Sequence, residues 1–175
     1  DAVKKIKNLA SKKHNNIFLL DGVTGSGKTE IYLDLISDEI KYGRQSLVLL
    51  PEIALSKQFI DRFEKRFNFI PAIWHSAIPN KEKRITWQKV INGEIKIVIG
   101  ARSALFLPFS NLSLIVVDEE HDTSYKQEDG IIYNARDMAV VRGNLSNAKV
   151  ILASATPSLE SVHNANIGKY YRIGL

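Results

Sequence analysis

Residues 22–29, GVTGSGKT, carry the pattern G-x-x-x-x-G-K-[ST], in which each fixed position has a chemical task. The glycines let the backbone curl so that successive N–H groups point inward at a polyphosphate, and the N-terminus of a following helix adds partial positive charge. Thr24, Gly25, Ser26, Gly27, Lys28 and Thr29 are therefore candidate phosphate-binding residues. Lys28 would reach the β- and γ-phosphates, and Thr29 offers a hydroxyl to magnesium. The pattern carries weight only between a strand and a helix, and both are predicted. The apolar run IFLL (17–20) leads in, and Ile31, Leu35 and Ile40 follow at helical spacing.

A second constellation lies about ninety residues downstream, where the β-branched run 114–117 ends directly in DEEH (118–121). In nucleoside triphosphate hydrolysis Asp118 would hold magnesium, and Glu119 would orient and deprotonate the attacking water. His121 is a candidate for the same site, although a lone histidine is more often a satisfied structural residue. SAT (154–156) sits just past another strand-like run, 149–153, so Ser154 and Thr156 could turn their hydroxyls to the same crevice. Read alone, that triplet is an ordinary helix cap. Phosphate loop and paired carboxylates together point to an NTPase rather than to two unrelated turns.

The elements needed to position these groups are legible. Strand-like runs at 17–20, 46–50, 72–75, 96–100, 114–117 and 149–153 alternate with helical patterns. A first helix places Ala2, Val3, Ile6 and Leu9 on one face and lysines 4, 5, 7, 12 and 13 mostly on the other, a solvated face. Leu55, Phe59, Phe63 and Phe67 recur at helical spacing as core positions, and Ile85, Val90 and Ile91 mark another helix among basic residues. Residues 122–134 read as a polar and aromatic loop, 136–145 as a helix, and Thr156-Pro157 as the opening of the last one. The prediction is an α/β fold, a mostly parallel doubly wound sheet with ligands at the carboxyl ends of its strands.

Composition sets the outer bounds. The 175 residues, 45% hydrophobic and 25% charged, suit one globular domain with a well-buried core. The absence of cysteine excludes disulfides and thiolate metal sites in this chain, and four scattered histidines show no metal-ligand spacing. A net charge of +5 favours a polyanionic partner, weakly when taken alone. No apolar run reaches bilayer length and no secretory signal is evident, so the expected location is cytoplasmic, without membrane contact. The chain starts at Asp1 rather than Met, which predicts a piece of a longer protein.

Five segments taken in order, GVTGSGKTE, LVLLPEIALSKQ, IGARSALFLP, LIVVDEEHDTSYKQEDGIIYNARDMAVVR and ILASATPSLES, resemble the first motor lobe of superfamily 2 DNA helicases. Within that superfamily the SYKQ loop, Tyr133, Ala135-Arg136-Asp137 and the PSLES continuation resemble the bacterial replication-restart helicases. The resemblance covers about residues 16–163 and implies a RecA-like P-loop NTPase lobe filling residues 1–175. It implies ATP and Mg2+ as cofactors, with Lys28, Asp118, Glu119 and His121 in catalysis and Thr156 beside the nucleotide. It also implies single-stranded and forked DNA as partners, with Pro51, Glu52, Arg102 and Ser103 along the DNA track and Tyr125, Lys126 and Tyr133 in an aromatic-rich DNA-sensing loop. Further implications are 3′-to-5′ polarity, single-strand-binding and primosome proteins as partners, and zinc only in parts of such a protein beyond this chain. Two other readings are a small-molecule P-loop kinase, disfavoured by the order of the DEEH and SAT boxes, and a nucleotide-gated DNA-binding module without turnover.

Overall fold

The computed structural model describes residues 2–11, 16–51 and 56–175. The strands are β1 (Ile17–Asp21), β2 (Gln45–Leu49), β3 (Ala72–Trp74), β4 (Ile97–Gly100), β5 (Leu112–Asp118), β6 (Lys126–Gln127), β7 (Tyr133–Asn134), β8 (Lys149–Ser154) and β9 (Tyr171–Gly174). The helices are α1 (Ala2–Ala10), α2 (Lys28–Lys41), α3 (Lys57–Phe67), α4 (Asn80–Ile91), α5 (Ala135–Ser146) and α6 (Leu159–Asn166). Seven strands make one sheet in the order β3-β4-β2-β5-β8-β1-β9, and all its neighbouring pairs are parallel. This is the predicted parallel α/β architecture.

Alternation along the strands explains the layering. Leu19, Leu47, Leu49, Ile115, Val117 and Leu152 point to one face, where Ala135 and Ala139 of α5 and Val90 of α4 cover them. Phe18, Leu20, Val48, Leu114, Val116 and Ile151 point to the other, against Ile6 of α1, Tyr32 and Ile36 of α2 and Phe63 of α3. Successive side chains of a strand leave on opposite sides, so a sheet covered on both faces needs nearly continuous apolar runs. Sequence and fold agree here. Phe59, Phe63 and Phe67 run along α3 with tilted rings whose centroids are 5.3 and 6.0 Å apart, Phe63 in the core and the other two partly buried against it; Leu55 lies outside the described residues, as do Lys12 and Lys13.

The structure departs from expectation in three places. The last helix does not open at Thr156-Pro157: Ser158 is its N-cap, its side chain accepting from the Ser161 N–H, and the helix starts at Leu159. The stretch 122–134 is more than a loop, because it holds a short 3-10 turn, Thr123–Tyr125, and the antiparallel pair β6 and β7. Residues 171–174 add an edge strand beside β1 that the sequence pattern did not reveal.

Strand order is what brings the chemistry together. β8 lies between β1 and β5, with Asp21 opposite Ser154 and Ala153 opposite Asp118. The phosphate loop, the SAT segment and the acidic box thus leave the same edge of the sheet side by side, the outer two about 10 Å apart at ordinary strand spacing.

Candidate functional site

The loop after β1 has the backbone that close approach to an anion requires. Gly25 and Gly27 take φ of +82° and +91°, in the left-handed region that a side chain disfavours. At Gly22 a Cβ would come within 2.6 Å of the Ser26 Oγ and 2.9 Å of the Leu175 Cβ, so the loop is packed against its own base. Gly27 then serves as N-cap of α2 without a side-chain cap, leaving the first N–H groups of the helix directed into the loop. Lys28, on the first turn, is buried, and its Nζ donates to the carbonyls of Gly22 at 2.5 Å and Val23 at 3.0 Å. The Ser26 Oγ is buried with no hydrogen-bond partner. A buried orphan hydroxyl, an ammonium group and unpaired helix N–H groups fit a phosphate chain.

Across β8, Asp118 ends β5 with both carboxylate oxygens held. Oδ1 accepts from the Glu119 N–H at 3.1 Å, and Oδ2 accepts from the Tyr32 hydroxyl at 2.8 Å. Burial raises the pKa of Asp118 from its ordinary value, and the Tyr32 hydrogen bond is the chief force in the other direction. Burial, and then the charge of Asp118, also push the Tyr32 phenol well up, so it is a donor at neutral pH. Tyr32 lies one helical turn beyond Thr29, which puts both hydroxyl side chains on the side of α2 that faces the acidic box. Among the described residues no group of three or more His, Cys, Asp or Glu side chains could hold a metal by itself. Metal binding by Thr29 and Asp118 would accordingly depend on oxygens from phosphate and water.

The rest of the box divides its labour. Glu119 adopts φ +48°, unusual for a residue with a Cβ and costing about 1–2 kcal/mol. Its side chain is half-exposed at the strand end. His121 Nδ1 lies 2.7 Å from the Ser154 Oγ and 3.6 Å from the Glu119 carboxylate. The same Ser154 Oγ accepts the Thr156 N–H at 3.0 Å. His121 is thus placed between the acidic box and the SAT segment, and Thr156 itself is exposed. Glu120 points the other way and is buried. It accepts from the Ser158 N–H at 2.7 Å, the Ser158 hydroxyl at 3.0 Å and the Ser161 hydroxyl at 2.9 Å, and pairs with Arg136 at 3.4 Å. A carboxylate at the N-terminus of α6 also complements the helix dipole.

The residues expected along a DNA track are not equivalent. Pro51 is buried, so its ring presents no surface, and Glu52 lies outside the described residues. Arg102 donates from Nη1 to the carbonyls of Ser124 at 3.1 Å and Lys126 at 2.8 Å, pinning the loop after the acidic box; Ser103 beside it is exposed. Tyr125 does not offer a ring to a base: it is 1% exposed and its hydroxyl lies 2.6 Å from the Asp118 carbonyl and 3.0 Å from that of Leu49. Packing into the core face under β2 and β5 corrects its placement as a stacking residue. Lys126 is exposed and paired with Glu128 at 2.8 Å. Tyr133 is half-buried, edge-on to the exposed Phe106 ring at 5.4 Å.

Sequence reasoning missed Tyr32 and the Glu120, Arg136, Ser158 cluster. The first had a signal: position i+3 from Thr29 on an otherwise apolar helix face. The second had none, because it joins residues 16 to 38 positions apart.

Residues 3–165 match the DEAD/DEAH box helicase family. Among curated proteins the chain is similar to the replication restart protein PriA of Rickettsia conorii, 57% identical over 161 residues that make up 92% of this chain and 25% of that protein. It is also similar to that of Bacillus subtilis, 44% identical over 174 residues, 99% of this chain and 22% of that protein. The chain spans about a quarter of the length of these relatives. Among solved structures, RecG bound to a three-way DNA junction superposes with a TM-score of 0.70 at 26% identity, over 98% of this chain and 22% of that one. The Hef helicase domain of Pyrococcus furiosus, TM-score 0.63 at 20% identity over 98% of this chain and 37% of that one, shares the fold. Among the described residues no helix is long and apolar enough to cross a membrane.

Proposed function

Because the chain belongs to the DEAD/DEAH box helicase family, we propose that it is the ATP-binding first motor lobe of a PriA-type DNA helicase that restarts replication. The observation that carries this reading is the convergence of the Lys28 loop, Asp118 and Ser154 at the carboxyl ends of three adjacent strands. Thr24 to Thr29 would bind the phosphates, with Lys28 exchanging its loop carbonyls for phosphate oxygens. Thr29 and Asp118 would hold magnesium, which when bound neutralises phosphate charge and polarises the γ-phosphoryl group. Glu119, half-exposed at the strand end, would orient and deprotonate water, and His121 would relay the state of that site to Ser154 and Thr156.

The substrate is proposed to be single-stranded DNA at forks, crossed in the 3′-to-5′ direction by the longer protein, with single-strand-binding and primosome proteins as partners. Exposed Ser103 and Lys126, with the Phe106 and Tyr133 pair, support a DNA-facing edge on this lobe. The second motor lobe, with the arginines that complete the nucleotide cleft, and any zinc sites belong to other parts of such a protein. Lacking such an arginine typically costs about 10³ to 10⁵ in rate, so this lobe alone would turn over ATP feebly and unwind nothing.

The test is calorimetric titration of ATP and ADP with magnesium into the chain and its Lys28→Ala variant. Sharp loss of affinity in the variant supports the reading; equal affinity removes the phosphate-loop assignment. In the full-length protein Glu119→Gln is expected to bind ATP and fail to hydrolyse it, and retained turnover would move the water-activating role elsewhere.

A further inference from the structure

Tyr32 is fully buried among the apolar residues that cover one face of the sheet, and its hydroxyl reaches out of that cluster to the Asp118 carboxylate, with the Thr29 side chain as a second hydrogen-bonding neighbour. Phenylalanine would fill the same space, so the core does not need the hydroxyl. Tyr125, the other large buried tyrosine near the box, directs its hydroxyl to backbone carbonyls, as a structural hydroxyl does. Tyr32 instead gives its one proton to a side-chain oxygen at the strand end, 2.8 Å away, while the Glu119 N–H holds the other oxygen at 3.1 Å. Two donors, one on each oxygen, fix the plane and rotamer of the carboxylate and leave each oxygen a further lone pair for a metal.

We propose that Tyr32 is a positioning residue for magnesium: its hydroxyl aims Asp118 at the metal site shared with Thr29, one helical turn away on α2. The device is rigid, because the ring is clamped in the core and the hydroxyl extends from it without a further rotatable heavy atom. It also ties the acidic box to α2, so the two halves of the metal site move as one body. Partners of this kind typically govern metal affinity about 10- to 100-fold when removed.

The proposal rests on Asp118 being the magnesium carboxylate, and the experiment separates the two claims. ADP is titrated into wild type, Tyr32→Phe and Lys28→Ala, each with excess Mg2+ and again with EDTA, and Mn2+ binding to the ADP complexes is followed by electron paramagnetic resonance. Tyr32→Phe is expected to bind ADP in EDTA within about twofold of wild type and to lose about tenfold in affinity for Mn2+ at the ADP complex. Unchanged Mn2+ affinity in Tyr32→Phe overturns the positioning role and leaves the ATP reading intact. An equal loss with and without metal also overturns it, since the hydroxyl would then support the loop or the fold. Failure of wild type to bind ADP, or indifference to Lys28→Ala, overturns the nucleotide assignment itself. Binding of ADP without any metal dependence in wild type removes Asp118 as a metal residue, and the role of Tyr32 with it.

Discussion

The Tyr125 hydroxyl lies 2.6 Å from the Asp118 carbonyl, closing the loop after the acidic box back onto the strand that ends in it. The same proton is shared with the Leu49 carbonyl at 3.0 Å, where β2 leaves the sheet. Tyr125→Phe keeps the ring and strips two buried carbonyls of a donor, for an expected loss of about 1–2 kcal/mol in urea unfolding. Tyr125→Ala empties a core site and is expected to cost about 3–5 kcal/mol. A surface turn carrying a tyrosine would show neither loss, so a Tyr125→Ala variant as stable as wild type would contradict the buried placement.

Glu119 gives a second test through its backbone. At φ +48° a Cβ is unfavourable, whereas glycine takes this conformation freely. Glu119→Gly is therefore expected to be more stable than Glu119→Ala by about 1 kcal/mol, the reverse of the order in a helix or strand interior. Paired thermal melts of the two variants decide it. Neither should hydrolyse ATP, so the comparison isolates backbone strain from chemistry.

How much of this could be read from the sequence follows the range of the interactions. The phosphate loop is written in eight consecutive residues and the acidic box in four, each beside a strand whose apolar run is self-evident. Tyr125 was misplaced because its neighbours in sequence are polar and exposed, while its burial comes from Leu49 and Asp118, brought close by sheet order. The start of α6 was set two residues early because Thr156-Pro157 and Ser158 are both competent helix openers. Glu120, reached only through β5, selects Ser158. Strand β9 alternates, with Tyr171 and Ile173 turned to the core and Arg172 and Gly174 exposed, but four residues make too short a run to stand out in the sequence.

Glu120 supplies a stability test remote from nucleotide. It is buried, with two serine hydroxyls, one backbone N–H and Arg136 converging on it. Glu120→Ala leaves those serine and backbone donors without their acceptor inside the fold and removes one of the carboxylates that face Arg136. Breaking a buried pair typically costs about 3–5 kcal/mol; Asp137 and Glu160 still face Arg136, which argues for about 3. Chemical denaturation measures it, and a loss under 1 kcal/mol would show the network to be dispensable.

The contact between α1 and α2 predicts a pH dependence. A hydrogen bond from Lys7 is the first cause that holds the Asp38 pKa below the ordinary carboxylate value, against partial desolvation. A depressed folded-state pKa means stability that is present above the unfolded value, about 3.9, and lost as pH falls through the folded one. Lys7 is half-exposed, so solvent screens the pair and Lys7→Ala is expected to cost only about 0.5 kcal/mol at neutral pH. Wild type and variant should converge in acid, and they should also converge in high salt. A stability gap that persists below pH ~2 would assign the effect of Lys7 to packing of its stem.

Arg102 yields the prediction that separates DNA contact from loop support. One guanidinium nitrogen is committed to the Ser124 and Lys126 carbonyls, on the turn that carries Tyr125 into the core and leads to β6. Lysine keeps the charge, but its ammonium sits on a more flexible stem and lacks the planar guanidinium that holds Nη1 between both carbonyls. Arg102→Lys should therefore preserve most of any charge-driven DNA affinity while loosening the loop, seen as faster amide exchange over residues 123–134 with unchanged exchange in β5. Arg102→Ala should lose both. If Arg102→Lys instead protects the loop as wild type does and weakens DNA binding, the arginine acts on DNA through its fork rather than on the carbonyls it faces here. Exchange and DNA titration on the same two variants distinguish these outcomes, because loop order is read without DNA and affinity is read without reference to the loop.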